Sequence, residues 1–456
     1  MTNLNAIVLA AGQGTRMKSA YPKVLHKIFD RPMLQYVIDS AKQAGAGSIL
    51  VVVGFEGEQV IQSLGPDYQY IWQREQLGTG HAVLMAETAL SGLDGDLLVL
   101  YGDTPLLEPD TIKELVLRKR NQKAVAAILT TKLNNPTGYG RILRDPQGNI
   151  KGIVEEKDAS TEEKEIKEVN TGVYCFEIQG LLKTLKLLSP RNAQGEYYLT
   201  DVFKILVDQG LPIAGVLTGD AEQVMGPNDR VQLSATEHNL KLKINEGLMK
   251  QGVTINDPNF TYIAPQVKIG RDTTVLPGTF IFGDTIIGEN CTIGPHTRIT
   301  DSVVADNTEI TYSQVTSARI GSNNLIGPFA NIRPGTVSDE HVKIGDFVEI
   351  KSSHLGPGSK ASHLTYLGDT RVGKNVNIGA GTITCNYDGV NKHQTVINDG
   401  AFIGSNSNLV APVTIGAGAT VGAGSTITKD VPDKALAVSR GHQENYNEWK
   451  SPRDRQ

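Results

Sequence analysis

Two regimes of apolar spacing divide the chain. In the first half, short apolar runs alternate with helix-like segments: Ala6–Ala10, Met33–Ala44, Ile49–Val53, Ala82–Leu90 and Asp96–Leu100. This strand–helix–strand order predicts a mostly parallel α/β sheet. Ligands of such sheets lie beyond the carboxyl ends of the strands, so the loops after Leu9, Val53 and Leu100 are the first places to look for a site. The stretch VQLSATEHNLKLKINEGLMKQ then keeps helical spacing, with no strong breaker before Gly252. It predicts a helical arm over 230–251, joining a domain at 1–229 to another at 252–456.

From Val267 onward the period becomes six. Ile269, Val275, Ile281, Ile287, Ile293 and Ile299 are evenly spaced. The spacing returns at Ile320, Ile326 and Ile332, at Ile344 and Ile350, at Val372 and Ile378, and from Ile397 through Ile403, Leu409, Ile415, Val421 and Ile427. No helix produces this period. Glycine follows many of these aliphatics, as in Ile269-Gly270, Ile344-Gly345 and Ile415-Gly416. A hexapeptide repeat stacks three short strands per coil into a triangular prism, aliphatics inward and small residues at the corners. The segment Thr384–Val396 (TCNYDGVNKHQTV) leaves the period, which predicts a loop projecting from one coil, where function concentrates.

Composition narrows the function classes. Over 456 residues, 44 Lys and Arg against 49 Asp and Glu give a net charge of −5, without the basic excess that nucleic-acid binding requires. Cys175, Cys291 and Cys385 are far apart, forming neither a metal-ligand pair nor a disulfide framework, which fits a reducing compartment. No cationic leader precedes Ala6, and no run approaches the roughly 20 apolar residues of a membrane span. The expectation is a soluble, cytoplasmic protein that partners neither nucleic acid nor membrane.

The chemistry-bearing residues fall in order along this framework. After the first strand comes Leu9-Ala10-Ala11-Gly12-Gln13-Gly14-Thr15-Arg16-Met17, then Pro22-Lys23. Backbone amides beside the glycines can approach phosphates, and Arg16 and Lys23 offer cations to a triphosphate. The string contains neither G-x-G-x-x-G nor the Walker lysine pattern, and a lone G-x-G is also an ordinary turn. Taken whole, it resembles the signature of the sugar-1-phosphate nucleotidyltransferases. The second half is similar to the hexapeptide acyltransferases, which are usually trimers with active sites between neighbouring prisms.

The full length resembles the family of bifunctional N-acetylglucosamine-1-phosphate uridylyltransferases/glucosamine-1-phosphate N-acetyltransferases. That resemblance implies a Rossmann-like nucleotidyltransferase domain joined by the helical arm to a left-handed parallel β-helix, and an enzyme supplying UDP-N-acetylglucosamine for peptidoglycan and other envelope polysaccharides. It implies that Gln73, Gly78 and Thr79 read the uracil of UTP, and that Leu9, Ala10, Ala11, Gly12 and Lys23 hold the nucleotide. Gly140, Glu155 and Asn170 become sugar contacts, and Asp103 and Asn228 ligands of Mg²⁺. On the residues alone, Gly78 also fits a plain turn, Asp103 a helix cap before Pro105, and Asn228 a turn. The implied reaction is attack by the phosphate oxygen of N-acetylglucosamine-1-phosphate on the α-phosphorus of UTP, with Lys23 and Arg16 helping to neutralise developing charge.

In the repeats, Arg333, Lys351, His363, Tyr366, Asn377, Asn386 and Tyr387 interrupt a fold that favours aliphatic and small residues. By the same resemblance, His363 is the general base that deprotonates the amine of glucosamine-1-phosphate as it attacks the thioester of acetyl-CoA. Its unperturbed pKa near 6.5 suits that task. Arg333 and Lys351 would face the sugar phosphate, and Tyr366, Asn377 and Asn386 the sugar. Ala380, Asn386, Tyr387, Ser405, Ala423 and Arg440 would contact acetyl-CoA, and the assembly would be a homotrimer. Glu349 has no assigned role. An ADP-glucose or GDP-mannose pyrophosphorylase would not need the set Arg333, Lys351, His363 and Asn386. A degenerate regulatory subunit would not keep Gly12, Arg16, Lys23 and Asp103 together. A β-helical carbonic anhydrase would need histidines converging on zinc.

Overall fold

The structure is a computed structural model and describes residues 3–455. It comprises two compact units, one reaching to Leu240 and the other beginning at Lys241. The first is built on a nine-stranded mixed sheet. Its main strands are β1 (Leu4–Ala10), β2 (Ser48–Val53), β3 (Gln69–Trp72), β4 (Asp96–Tyr101), β5 (Ala126–Lys132), β6 (Glu168–Glu177) and β7 (Ile213–Thr218). Their order across the sheet is β7-β5-β6-β4-β1-β2-β3, with β6 alone running antiparallel to both of its neighbours in this path. The apolar runs are continuous because both faces are covered. Ala6, Val8, Val51 and Leu98 enter one core, while Ile7, Leu9, Leu50 and Leu97 enter the other. Successive strands are added on one side of β1 as β2 and β3 and then on its other side as β4, all parallel to β1, which places a topological switch point beside the loops following β1 and β4.

Two local details differ from the sequence expectation. Ala82–Leu90 is not one helix; Thr79–Leu84 and Glu87–Ser91 are separate short helices. Strand β3 was not expected, because its residues are only half-buried and lack a clear apolar alternation. The arm is the helix Arg230–Lys250. In the first unit its Leu233 and Leu240 pack near Met17, Ile28, Met33 and Tyr36. In the second unit Leu248 joins the core, and the fully buried Asn245 donates to the carbonyls of Pro258 and Thr261.

The second unit is a left-handed parallel β-helix with three faces, sheets of 11, 10 and 9 short strands. The inward aliphatics stack in register, as in Ile326 on Ile344 on the first face and Ile332 on Ile350 on the second. Gaps in the six-residue period are explained by shorter sides. Val304, Val315 and Leu355 point inward and are almost fully buried, each five residues after the preceding inward position. Glycine after an inward aliphatic is a steric requirement: a Cβ on Gly345 would lie 1.9 Å from the carbonyl oxygen of Ser362 in the next coil. The small residue expected at every corner predominates at two of the three, with His341 and Lys434 as exceptions. The corner between the first and second faces carries His296, Tyr312, Phe329, Phe347 and Leu364.

Candidate active sites

Above the switch point is a cavity of about 450 Å³. It is lined by Leu9, Ala10, Ala11, Gly12, Arg16, Lys23, Gln73, Gly78, Thr79, Asp103 and Asn228, and so brings together most of the residues expected to hold a nucleotide. A Cβ on Gly12 would meet no protein atom within 4 Å, so nothing in the fold itself demands glycine there. Gly14 is different. It has φ 63°, and a Cβ there would lie 2.5 Å from Cβ of Lys23, so the turn that delivers Lys23 requires it.

Lys23 is the centre of the polar cluster. Its ammonium donates to Oδ2 of Asp103 at 2.5 Å and to Oδ1 of Asn228 at 2.8 Å, and Arg16 donates to the same Asn228 oxygen at 2.8 Å. Two oxygen donors from distant segments therefore converge on one point, and a cation stands there. This donor set fits a hard divalent ion. Gly226 packs directly against Asp103, since a Cβ there would lie 2.6 Å from its backbone oxygen and 3.0 Å from its carboxyl carbon.

Gly140, Glu155 and Asn170 do not line this cavity but lie beside one another. A Cβ on Gly140 would stand 3.3 Å from a Glu155 carboxylate oxygen and 3.5 Å from Cβ of Asn170. Burial pushes the Glu155 carboxyl above its ordinary pKa, partly opposed by the hydrogen bond from Thr200. A buried chain of hydroxyls links them to the cavity. Tyr101, in the cavity wall, hydrogen-bonds Thr79 and Tyr174, and Asn170 donates to Tyr174 at 2.8 Å. The ladder of β6 slips between Asn170 and Tyr174, and there Gly172 adopts φ 79° against the ring of Tyr101. Sequence reasoning missed Tyr101, Tyr174 and Gln76; Tyr101 and Gln76 both neighbour residues that it did find, one before Gly102-Asp103 and one between Gln73 and Gly78.

In the β-helix the candidate residues form columns. Asp346 and His363 are register partners, and their side chains meet with Nδ1 of His363 2.5 Å from Oδ1 of Asp346. The hydrogen bond from His363 holds the Asp346 carboxyl below its ordinary pKa. The column continues through Ala380, Ser405 and Ala423 at the same corner, tied by amide-to-carbonyl bonds from Asn406 to Ala380 and from Gly424 to Ser405. Arg440 closes it by donating to the carbonyl of Ala423 at 2.8 Å. Four of the expected carrier contacts, Ala380, Ser405, Ala423 and Arg440, thus share one edge of the prism with His363, whereas Asn386 and Tyr387 lie at the end of a second-face strand and in the loop that follows it.

The remaining candidates are divided between faces. Tyr366 opens a strand of the second face, where Lys351 and Asn386 also lie, and the absent side chain of Gly368 lets the Tyr366 hydroxyl and the Asn386 amide approach. Asn386 is nearly buried, and its amide donates to Asp369 at 2.5 Å. Arg333 pairs with Glu349 at 2.6 Å. Asn377 instead opens a strand of the first face. The projecting loop is shorter than the expected Thr384–Val396, because Thr384 and Cys385 stay in a strand, with Thr384 buried and paired with Leu409, and Thr395 and Val396 begin the next strand; the segment after Asn386 projects and is internally braced, with Asp388 accepting from the amides of Val390 and Asn391 and meeting His393 at 2.6 Å. It also carries Lys392, which the sequence reading missed. The Lys392 ammonium, with Arg333 as a lesser contributor, pushes Lys351 below its ordinary pKa, so three cations crowd one place. Among the described residues, no three His, Cys, Asp or Glu side chains converge as a metal site would require, the β-helix histidines included, and no helix is long and apolar enough to cross a membrane.

Residues 6–159 match the family described as MobA-like NTP transferase domain, residues 262–366 the GMPPB C-terminal domain, and residues 394–429 the bacterial transferase hexapeptide (six repeats). A bifunctional protein GlmU of Geobacillus sp. (strain WCH70) is 52% identical over 449 residues, covering 98% of each chain. The protein of that name from Carboxydothermus hydrogenoformans is 51% identical over 446 residues, 98% of this chain and 100% of its own. The one from Clostridioides difficile (strain 630) is 48% identical over 457 residues, 100% of this chain and 99% of its own.

Proposed function

The chain belongs to the family of bifunctional GlmU proteins, and from that membership we propose how its two sites divide the work. It is a bifunctional transferase that makes UDP-N-acetylglucosamine: acetyl transfer from acetyl-CoA to glucosamine-1-phosphate, then uridylyl transfer from UTP to N-acetylglucosamine-1-phosphate. In the first unit, Gln73, Gly78 and Thr79 take the uracil, the Leu9–Gly12 turn and Lys23 the phosphates, and Gly140, Glu155 and Asn170 the sugar. Asp103 and Asn228 would hold Mg²⁺, which when bound neutralises charge on the reacting phosphates. Lys23 and Arg16 supply further positive charge, and no covalent nucleophile of the protein is needed. The observation that carries this reading is the convergence of Asp103 and Asn228 oxygens on a single cationic point at the cavity wall.

In the second unit, Nδ1–H of His363 donates to the Asp346 carboxylate, which leaves the Nε2 lone pair to take a proton from the substrate amine. The amine nitrogen forms its bond to the thioester carbonyl carbon, and the CoA thiol departs. Arg333, Lys351 and Lys392 face the sugar phosphate; Tyr366, Asn377 and Asn386 face the sugar. Ala380, Asn386, Tyr387, Ser405, Ala423 and Arg440 take the carrier. The split of sugar contacts over two faces supports a homotrimer in which neighbouring prisms complete each site, and the protein works in the cytoplasm. Incubation with glucosamine-1-phosphate, acetyl-CoA, UTP and Mg²⁺ should yield N-acetylglucosamine-1-phosphate first and UDP-N-acetylglucosamine with pyrophosphate afterwards. Direct uridylylation of the unacetylated sugar phosphate as the main route would overturn that order.

A further inference from the structure

The insertion after Asn386 leaves the prism and returns to it over a single residue of the preceding coil. That residue, Asp369, is half-buried at the bend between the second and third faces, with φ 49°. Its backbone amide donates to the carbonyl of Lys351 at 3.1 Å. Its carbonyl accepts at 3.2 Å from the amide of Thr395, the residue with which the chain re-enters a strand. Its carboxylate accepts at 2.5 Å from Nδ2 of Asn386, the residue from which the loop departs. Both roots of the loop therefore bear on Asp369, and the loop between them is drawn together by the His393 amide, which donates to the Asn386 carbonyl at 2.8 Å, and by a bridge between Tyr387 and Lys392.

An aspartate at a positive-φ bend is ordinary on backbone grounds, so the use of its carboxylate is the informative part. At the same corner three coils or more before, Asp301 turns its carboxylate back onto the backbone amide of Asp284 at 3.1 Å and braces the chain. The Asp369 carboxylate reaches instead to a side chain of the following coil. Asn386 is nearly buried, and a carboxylate distinguishes the two ends of its amide, because it accepts from nitrogen and repels oxygen. Nδ2 is taken in this way. Among the described residues no donor reaches Oδ1, so the acceptor end of the amide is left for a ligand. Charge adds a second effect. Lys392 foremost, with Arg333, pushes Lys351 below its ordinary pKa, and Asp369 opposes them, a negative group set into the crowd of cations.

We propose that Asp369 is a positioning residue of the acetyl-transfer site, holding Asn386 by its amide nitrogen so that the carbonyl oxygen is presented to a donor group of the bound substrates. The proposal rests on the acetyl-transfer reading above and adds the residue that orients one of its contacts. Asp369 touches neither substrate; it acts through Asn386.

The test is a double-mutant cycle on the full chain, with acetyl transfer measured for the parent, Asp369→Ala, Asn386→Ala and the two combined. Uridylyl transfer is followed in the same preparations and should stay parental throughout. Each single substitution should lower kcat/KM for acetyl transfer by about tenfold or more, the scale of a lost hydrogen bond to a charged group. The combined variant should be no worse than about the poorer single one, because removing Asp369 has no effect once Asn386 is gone. Parental acetyl transfer in either single variant overturns the proposal. So does a combined loss equal to the product of the two single losses, which is what a general structural role for Asp369 would give. Asp369→Asn preserves shape and bend and decides the matter should the alanine variant fail to fold. A neutral acceptor is weaker than a carboxylate, so it should lose about three- to tenfold, and that loss should vanish in the Asn386→Ala background; a loss that persists there overturns the proposal. A parent chain that transfers no acetyl group overturns instead the reading on which the proposal stands.

Discussion

Nδ1 of His363 and Oδ1 of Asp346 stand 2.5 Å apart, joined across adjacent coils at matching register positions. Asp346 does not touch the reacting atoms on this geometry; it fixes the imidazole tautomer and orientation. Asp346→Asn should therefore lower kcat for acetyl transfer by about tenfold or more, short of the roughly 10²–10⁴-fold expected for His363→Ala. KM for acetyl-CoA and uridylyl transfer should hold. Acetyl transfer by the His363→Ala variant should recover partly as pH rises and more amine is unprotonated. An Asp346→Asn enzyme with parental kcat and pH profile would reduce Asp346 to a surface partner.

Removing an oxygen from the cationic point in the first unit should silence one activity only. Asp103→Ala or Asn228→Ala should cut uridylyl transfer by about 10²–10³-fold, as lost charge stabilisation does elsewhere, with acetyl transfer intact. Chelation of divalent ions should reproduce that selectivity in the parent. Variants that keep full uridylyl transfer at low Mg²⁺ would refute the ligand assignment.

The bulge in β6 gives a stability test with a functional readout. A Cβ at Gly172 would lie 2.1 Å from Cε2 of the Tyr101 ring, on a backbone at φ 79°. Gly172→Ala should cost about 1–3 kcal/mol in denaturant unfolding of the first unit. It should also displace Tyr101 from the cavity wall. Tyr174→Phe, which keeps the packing and removes one hydroxyl of the chain, should raise KM for the sugar phosphate more than that for UTP. Equal changes in both would mean that the hydroxyl chain does not serve the sugar side.

The projecting loop carries its own acid limit. Amides of Asn391 and Val390 and the His393 side chain hold the Asp388 carboxyl down from 3.8 to about 2. A depressed carboxyl adds stability that is complete above its unfolded pKa and is lost as pH falls through the folded one. Limited proteolysis within Asp388–His393 should accordingly accelerate only as pH drops from about 4 towards 2. In Asp388→Asn the loop should be cut readily at neutral pH. Equal cutting of the two at neutral pH would show that the brace does not order the loop.

Much of the architecture is legible because it is periodic. The six-residue spacing names the inward positions directly, and a continuous apolar run such as Ala6–Ala10 implies a strand covered on both sides. What escapes is cross-coil or cross-strand register. Asp346 is one coil before His363, a relation that becomes visible only when five-residue sides such as the one ending at Leu355 are counted into the coil. Lys392 lies where the period is suspended, so no spacing argument reaches it. Tyr174 meets Tyr101 through the antiparallel pairing of β6 with β4 and its bulge, neither of which a strand–helix–strand pattern foretells.

The column Asp346, His363, Ala380, Ser405 and Ala423 also makes the prism a graduated rule. Each coil advances by about 4.8 Å, so on the proposed assignment the reach from the base to the far end of the acyl carrier is measured in whole coils. Ala380 and Ser405 remain adjacent marks although the projecting loop separates them in sequence, because that insertion is expelled at another corner and the phase is kept. Inserting one complete coil between them would lengthen the rule by a single graduation, whereas inserting half a side would turn every later mark to face away from the carrier.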